Sequence, residues 1–471
     1  MVTRINPSIF REYDIRGVVG SDLTAEVADA VARAYATYLR RASPPLPASS
    51  GGTGEGIPVL VGSDNRQSSP TLRESVVRAL VASGCRVVDI GTVITPTFYF
   101  ARVHYGIDGG VMITASHNPP EFNGFKLAHG FGTIYGDEIQ DVRRLAEQGK
   151  QMAGPGSVER RDVVPAYRVM LKEKIHLGPR RLRVVLDCGN GTASLVAPQV
   201  LKEWGVDLTC LYCDSDPRFP HHHPDPVEPS NLTALIETVK RTGADVGIGL
   251  DGDGDRIGVV DEQGGIIWGD TLMILFWREI MPKHPGAVGI VEVKCSQSLY
   301  EEIARLGGRP MFYKTGHSLI KAKMKELGAV FTGEMSGHMF FADEYYGYDD
   351  ALYAAGRLLR ILATTDKKVS ELLADVPRYH NTPEIRVNCP DEVKFEIVRK
   401  VTTEFKHRYE VVDVDGARVL FGDGWGLIRA SNTQPVLVLR AEAKTREALV
   451  HIEQMLENAL TKFPEVGPVH W

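Results

Sequence analysis

Two groups of residues in this chain could do chemistry together: a serine at the end of an apolar strand, and three aspartates alternating with glycine. The serine stands in Gly109-Gly110-Val111-Met112-Ile113-Thr114-Ala115-Ser116-His117-Asn118-Pro119-Pro120. A strand that ends in small residues and a turn closed by Asn-Pro-Pro hold a hydroxyl in one place, and a rigid loop can aim a nucleophile. The same serine could instead cap a helix or a turn. The aspartates stand in Asp251-Gly252-Asp253-Gly254-Asp255-Arg256. Carboxylates at i, i+2 and i+4 can curl around one hard cation through oxygen ligands. An EF-hand loop would need glycine at its sixth position, where this chain has Arg256, and helices at its flanks. Residues 246–250 and 257–260 read instead as strands. Three carboxylates leave coordination open for a substrate oxygen, as Mg2+ at a phosphate requires.

Two later loops have the same polar character. In Gly333-Glu334-Met335-Ser336-Gly337-His338, Glu334 and Ser336 are spaced to accept from and donate to vicinal hydroxyls of a sugar, although a capping turn uses the same residues. Arg429-Ala430-Ser431-Asn432-Thr433-Gln434-Pro435 suits a phosphate dianion, with a charge-assisted contact from Arg429 and donors from Ser431, Asn432 and Thr433. A helix start capped by Ser and Asn is the alternative for that loop. The six cysteines include Cys210-Leu211-Tyr212-Cys213, ahead of His221-His222-His223. A zinc site is conceivable there, but no second such pair exists and 208–212 reads as an ordinary strand. The histidines read as an interdomain contact or a solvated loop.

These loops need a scaffold. At 471 residues the chain predicts roughly three domains on a prior of about one per 150. With 43% hydrophobic residues it can bury several cores, and a net charge of −6 favours neither nucleic acid nor an anionic membrane surface. The apolar run 272–277 is far short of the roughly 20 residues of a spanning helix. Residues 1–9 have no basic stretch followed by an apolar one. The expectation is a soluble cytoplasmic protein.

Strand and helix patterns alternate, as in α/β domains. Residues 22–41 predict a helix and 59–62 a strand, followed by a helix over 69–83 and strands at 86–90 and 110–113. The segment 42–56, rich in Ser, Pro and Gly, reads as a surface excursion. Further strands are expected at 183–186, 206–211, 246–250, 287–291 and 311–313. Residues 110–118, 247–256 and 328–338 repeat one pattern of apolar strand, small residues and polar loop. The fold class expected is α/β: three similar mixed-sheet α/β domains plus a smaller C-terminal α+β domain around one central cleft. The expected boundaries are 1–157, 158–264, 265–376 and 377–471, carrying the serine loop, the metal, the sugar contacts and the phosphate clamp in turn.

The loops 114–119, 251–256, 333–338 and 429–435 are similar to the four signature loops of the α-D-phosphohexomutase superfamily. Phe10-Arg11-Glu12-Tyr13-Asp14-Ile15-Arg16-Gly17 and Phe219-Pro220-His221-His222-His223-Pro224-Asp225-Pro226 resemble two more of its segments. The likeness runs in order from about Phe10 to Glu442 and most resembles the bacterial phosphomannomutase/phosphoglucomutase branch. It implies a Ser116 that is phosphorylated in the active form. That group would pass to a mannose or glucose 1- or 6-phosphate, giving a hexose 1,6-bisphosphate that also serves as activator. The resemblance implies Mg2+ on Ser116, Asp251, Asp253 and Asp255, with Arg256 adding charge. Lys126 and His338 would be acid/base groups, Lys126 alternatively a phosphate counter-ion. Glu334, Ser336, His317 and Lys294 would contact the sugar. Arg429, Ser431, Asn432 and Thr433, with Tyr13 and Arg16, would hold phosphate. Met335 resembles the glucose/mannose type, whereas phosphoglucosamine mutases more often carry Gln. A phosphoglucosamine mutase, or a metal-dependent sugar-phosphate phosphatase, is the alternative. Small-molecule sugar phosphates, no nucleic acid, no membrane and a monomer or weak dimer complete the expectation.

Overall fold

A computed structural model describes residues 5–42, 56–130, 132–149, 152–432 and 434–471; the expected excursion at 42–56 falls almost wholly outside them. The chain forms two compact units, Met1–Leu272 with Ser336–Leu372 and Met273–Met335 with Leu373–Trp471. Among the described residues no helix is long and apolar enough to cross a membrane.

The first unit holds two mixed sheets. One contains β1 (Ile15–Val18), β2 (Ile57–Ser63), β3 (Cys85–Thr92), β4 (Gly109–Ile113), β5 (Phe122–His129), β6 (Gly132–Thr133) and β7 (Ser157–Arg160), in the order β1-β5-β4-β2-β3-β7 with β6 on β5. Strands β4, β2, β3 and β7 are parallel, while β5 runs antiparallel to β4. Every residue of β4 is buried, as an apolar run covered on both faces must be. The helix Ala25–Ala42 buries Val27, Val31, Ala34, Tyr35 and Tyr38. Tyr35 Oη accepts from Gly110 N at 2.7 Å, tying that helix to β4. The helix begins later than the expected residue 22. Thr24 Oγ1 accepts from Val27 N at 3.3 Å as its cap, and Asp22 instead takes Val18 N at 3.1 Å.

The second sheet contains β8 (Arg183–Asp187), β9 (Asp207–Leu211), β10 (Val246–Leu250), β11 (Ile257–Asp261) and β12 (Ile266–Ile267), in the order β12-β11-β10-β8-β9. Here too a buried strand parallel to its inner neighbour, β10, is followed by an antiparallel strand, β11. The serine loop leaves β4 and the acidic loop leaves β10 at the same topological position, beyond strand carboxyl ends where α/β sheets bind ligands.

In the second unit β13 (Val288–Glu292) and β14 (Arg309–Tyr313) are parallel, and β15 (Phe331–Gly333) lies by β13, with Thr332 Oγ1 donating to Ile290 O at 2.7 Å. Residues 380–443 add an antiparallel sheet. Its strands are β16 (His380–Asn381), β17 (Ile385–Asn388), β18 (Glu410–Val412), β19 (Ala417–Leu420), β20 (Gly424–Ala430) and β21 (Val436–Ala443). The helices Lys394–Lys406 and Arg446–Leu460 bury Ile397, Val401, Ile452 and Leu456 in its core, the α+β pattern expected of the last segment.

Candidate active site

Ser116 is buried, and its backbone has φ +52°, a left-handed conformation that costs a side-chain-bearing residue roughly 1–2 kcal/mol. No helix follows it: the chain goes on into β5, so the helix-cap alternative for this serine falls away, and Ser116 lies in a turn that Asn118 N closes on Ala115 O at 3.0 Å. Ser116 Oγ donates to Asp251 Oδ2 at 2.7 Å, and His117 Nδ1 lies 3.2 Å from the same oxygen. The acidic loop approaches this closely because residue 252 is glycine; a Cβ there would stand 2.5 Å from Ser116 O. Its flanks are the antiparallel strands β10 and β11, which excludes an EF-hand.

Asp251, Asp253 and Asp255 are fully buried, and one carboxylate oxygen from each lies within 4.8 Å of the others. Burial and the repulsion of Asp255 and Asp253 push the Asp251 carboxyl well above the usual carboxylate range. Burial opposes the charge of Asp253 too, but Lys126 and the Thr95 hydroxyl outweigh it and hold that carboxyl low. Lys126 Nζ donates to Asp253 Oδ2 at 2.9 Å and Asp255 Oδ2 at 2.5 Å. Burial works against its ammonium, yet Asp253 and Asp255 raise its pKa well above the ordinary lysine value. Three buried carboxylates facing one ammonium leave negative charge in excess, and an all-oxygen donor set of this kind fits a hard divalent cation. His338 closes the far side. Its Nδ1 lies 3.0 Å from Asp349 Oδ2 and 3.6 Å from Asp255 Oδ1, and its Nε2 accepts from Arg256 Nε at 2.9 Å. Burial and the Arg256 and Arg16 charges push the His117 imidazole well below its ordinary value, so the ring is neutral near pH 7.

The residue that sequence reasoning missed here is Arg66. Only 1% of its side chain is exposed, and it pairs with buried Asp64 at 3.2 Å. Its guanidinium donates to four carbonyls of the serine loop: Ser116 O at 2.8 Å, Asn118 O at 2.5 Å, Pro119 O at 2.6 Å and Phe122 O at 3.0 Å. Asp64 Oδ2 accepts from Ala115 N on the same loop at 3.4 Å. One planar cation with five donors thus holds the strained turn from inside. Arg66→Lys keeps the charge but loses the fork, and we expect kcat to fall about tenfold to a hundredfold with KM little changed, since a misplaced nucleophile loses orientation. Arg66→Ala is expected to lower stability by about 3–5 kcal/mol, as the loss of one partner of a buried pair does. Chemical denaturation and steady-state kinetics check both; a wild-type kcat in Arg66→Lys would show the loop holds itself. Arg16 reaches the same loop, with Nη1 donating to Asn118 Oδ1 at 2.9 Å, and Tyr13 lies half-buried beside buried Asp14, the partner of Arg16.

Two of the three histidines make side-chain contacts, while His223 is exposed. His221 stacks on Tyr212 with centroids 4.0 Å apart, and its Nδ1 lies 2.8 Å from Asn190 Oδ1. His222 Nε2 lies 3.1 Å from Asp187 Oδ2. Burial lowers the His222 pKa, but the hydrogen bond and charge of Asp187 win and raise it above 6.5. The pair therefore stabilises the fold fully below the unfolded value and stops doing so as pH rises through the higher folded one. Thermal melts of wild type and His222→Gln are expected to differ more at about pH 6 than at about pH 8. A difference that grows with pH would contradict the pairing.

In the second unit, buried Glu292 is the unforeseen centre. Its carboxylate accepts from Lys294 N at 3.2 Å, from the Thr315 hydroxyl and from Met335 N at 3.5 Å. Burial raises its pKa against the pull of Lys294. Lys294 Nζ donates to Glu384 Oε2 at 2.9 Å. Glu334 Oε1 accepts from Gly316 N at 2.7 Å, next to buried His317 at the start of the helix His317–Leu327. Asp415 Oδ2 takes Arg429 Nε at 2.9 Å and Thr315 N at 3.1 Å. Lys294 and Arg429 are thus each held by a carboxylate, and Glu334 is held by Gly316 N. The loop after Arg429 joins antiparallel β20 and β21, so it is a hairpin and not a helix start. Ser431 Oγ accepts from Gln434 N at 3.1 Å, Asn432 is half-buried, and Thr433 lies outside the described residues. Ser336, part-exposed, lies in the first unit, so the chain passes between units within the Glu334–Ser336 loop.

The chain matches four family descriptions in succession: phosphoglucomutase/phosphomannomutase alpha/beta/alpha domain I over residues 7–152, domain II over 165–265, domain III over 268–379 and the C-terminal domain over 384–459. It is 43% identical over 463 residues to a phosphomannomutase/phosphoglucomutase of Pseudomonas aeruginosa, covering 98% of this chain and 97% of that one. It is 40% identical over 470 residues to a phosphoglucomutase of Neisseria gonorrhoeae, with 98% of each covered. A crystal structure of a phosphoglucomutase/phosphomannomutase family protein from Burkholderia thailandensis superposes with a TM-score of 0.90 at 40% identity, covering 99% of this chain and 100% of that one.

Proposed function

The chain belongs to the phosphoglucomutase/phosphomannomutase family, and on that premise we propose that it interconverts hexose 1-phosphates and hexose 6-phosphates through phosphorylated Ser116 and a hexose 1,6-bisphosphate. The observation that carries this reading is the Ser116 hydroxyl, buried, held in a left-handed turn and aimed at Asp251 of the acidic loop. Mannose and glucose phosphates are the substrates of this proposal, as Met335 favours.

Each residue has a part in it. Asp251, Asp253 and Asp255 would hold Mg2+ together with the Ser116 oxygen, and the ion would supply positive charge against the oxygens of the transferring group. Arg66 and Gly252 set the approach of the serine loop to the acidic loop. Lys126, protonated through its two carboxylate partners, is a proton donor and counter-charge before it can be a base. His338, oriented by Asp349 and Arg256, is the second acid/base group. Arg256 adds charge, and Arg16 and Tyr13 border the serine loop as phosphate contacts. Glu334, Ser336, His317 and Lys294 read sugar hydroxyls, and Arg429, Ser431, Asn432 and Thr433 grip the phosphate that is not reacting. The reading extends to four domains at 1–157, 158–264, 265–376 and 377–471, and to a cytoplasmic monomer or weak dimer.

Intact-mass measurement tests it. The purified protein, or the protein incubated with glucose 1,6-bisphosphate, should gain one phosphoryl group, and catalytic amounts of that bisphosphate should stimulate turnover. Stoichiometric release of inorganic phosphate without stimulation would instead identify a phosphatase. Comparing mannose, glucose and glucosamine 1-phosphates decides the sugar, and preference for glucosamine would replace the substrate named here.

A further inference from the structure

The Cys210–Cys213 pair does not stand alone. β8 and β9 are parallel, with Leu186 opposite Cys210 and Asp187 opposite Leu211. The next residues on each side bring Cys188 and Cys213 together: their sulfurs are 3.5 Å apart, and Cys188 N donates to Leu211 O at 3.2 Å. Cys188 is fully buried and Cys213 part-exposed, so an oxidant reaches the second sulfur first. The hydrogen bond with Cys188 outweighs burial and lowers the Cys213 thiol below its ordinary value, whereas the neighbouring Cys210 thiol is pushed up to about 11, mainly by burial.

We propose that Cys188 and Cys213 are a peroxide-oxidisable dithiol whose closure to a disulfide slows the catalytic loops. The Cys213 thiolate attacks one oxygen of hydrogen peroxide; the S–O bond forms, the O–O bond breaks, and the hydroxide released takes up the proton the thiol gave up and leaves as the first water. The Cys188 thiol then attacks that sulfur; the S–S bond forms, the S–O bond breaks, and the oxygen departs as a second water with the Cys188 proton. Two thiols and one hydrogen peroxide give one disulfide and two waters, and a dithiol reductant reverses the change. The sulfurs must close from 3.5 Å to about 2.0 Å, and the backbone carrying them is already constrained. Gly189, Asn190 and Tyr212 have φ of +51°, +58° and +50°.

That backbone leads to the site. Gly191 N donates to Cys188 O at 2.8 Å, and Asn190 N to Tyr212 O at 2.8 Å. Thr192 N donates to Gly252 O of the acidic loop at 2.9 Å, and Thr192 Oγ1 accepts from Asn65 N at 2.9 Å, beside the Arg66 that holds the serine loop. A shift at Cys188 is therefore delivered to both loops whose contact is Ser116 Oγ on Asp251.

The full-length protein is exposed to hydrogen peroxide, alkylated and digested without reduction, and assayed in parallel. We expect one cross-linked species joining the Cys188 and Cys213 peptides and a several-fold fall in kcat, both reversed by dithiothreitol. Cys210→Ser should behave as wild type. Cys213→Ser should have wild-type activity before treatment and keep it afterwards, with a melting curve confirming that it is folded. A Cys210–Cys213 cross-link, no cross-link at all, or a Cys188–Cys213 cross-link with unchanged kcat overturns the proposal.

Discussion

Ser116→Ala is expected to lose turnover by at least about 10^4-fold, because a nucleophile that carries the transferred group has no substitute in the site. The variant should also show no phosphoryl mass after incubation with hexose bisphosphate. One companion, Ser116→Gly, separates chemistry from folding. Alanine at φ +52° keeps the backbone strain of the serine and leaves Asp251 Oδ2 without its hydroxyl donor. Ser116→Gly relieves that strain and should melt higher than Ser116→Ala while being equally inactive. A phosphorylated Ser116→Ala, or a kcat within tenfold of wild type, would move the phosphoryl carrier elsewhere.

Asp251→Asn is the second large effect. The asparagine has nearly the shape of the aspartate, and its oxygen can still accept the two backbone N–H groups of Asp255 and Arg256 that Asp251 Oδ1 takes at 3.0 and 3.1 Å. It removes one of three mutually repelling buried carboxylates. Activity with Mg2+ is expected to fall on the order of 10^2- to 10^3-fold, the size of losing one electrostatic contact to a transition state. Stability in chelator should not fall, since Asp251 is the carboxylate whose charge folding disfavours. Wild type should gain melting temperature on addition of Mg2+ and the variant less, because binding to the native state alone stabilises it. Equal Mg2+-induced shifts in the two proteins would mean that the ion sits elsewhere.

The candidate site of this chain is legible in the sequence wherever it lies in one short stretch. Ser116 with its flanking prolines, the aspartates at i, i+2 and i+4, and the Arg-Ser-Asn run each carry their signal locally, and the strands around them follow from buried apolar runs. What holds those loops was not legible. Arg66 is a lone arginine 50 residues before the serine whose carbonyl it takes, and no spacing rule links such positions. Glu292 and Asp415 organise Lys294, Thr315 and Arg429 across sheet edges, so their role exists only once the strands are paired. Polar clusters were also ambiguous in kind, because Ser and Asn serve hairpins and helix caps equally; strand pairing of β20 with β21 decided for the hairpin.

The path of the chain between its two units has a consequence for how the protein is made. The first unit is discontinuous, closing only with Ser336–Leu372, and that late segment brings His338 and Asp349 to Asp255. During synthesis the serine and acidic loops leave the ribosome long before their histidine. A nascent chain halted before residue 336 therefore carries Ser116 and all three aspartates with one wall missing, and apolar strands exposed where the remainder has still to pack. The surroundings of Asp255 are therefore complete only once residue 349 has been made.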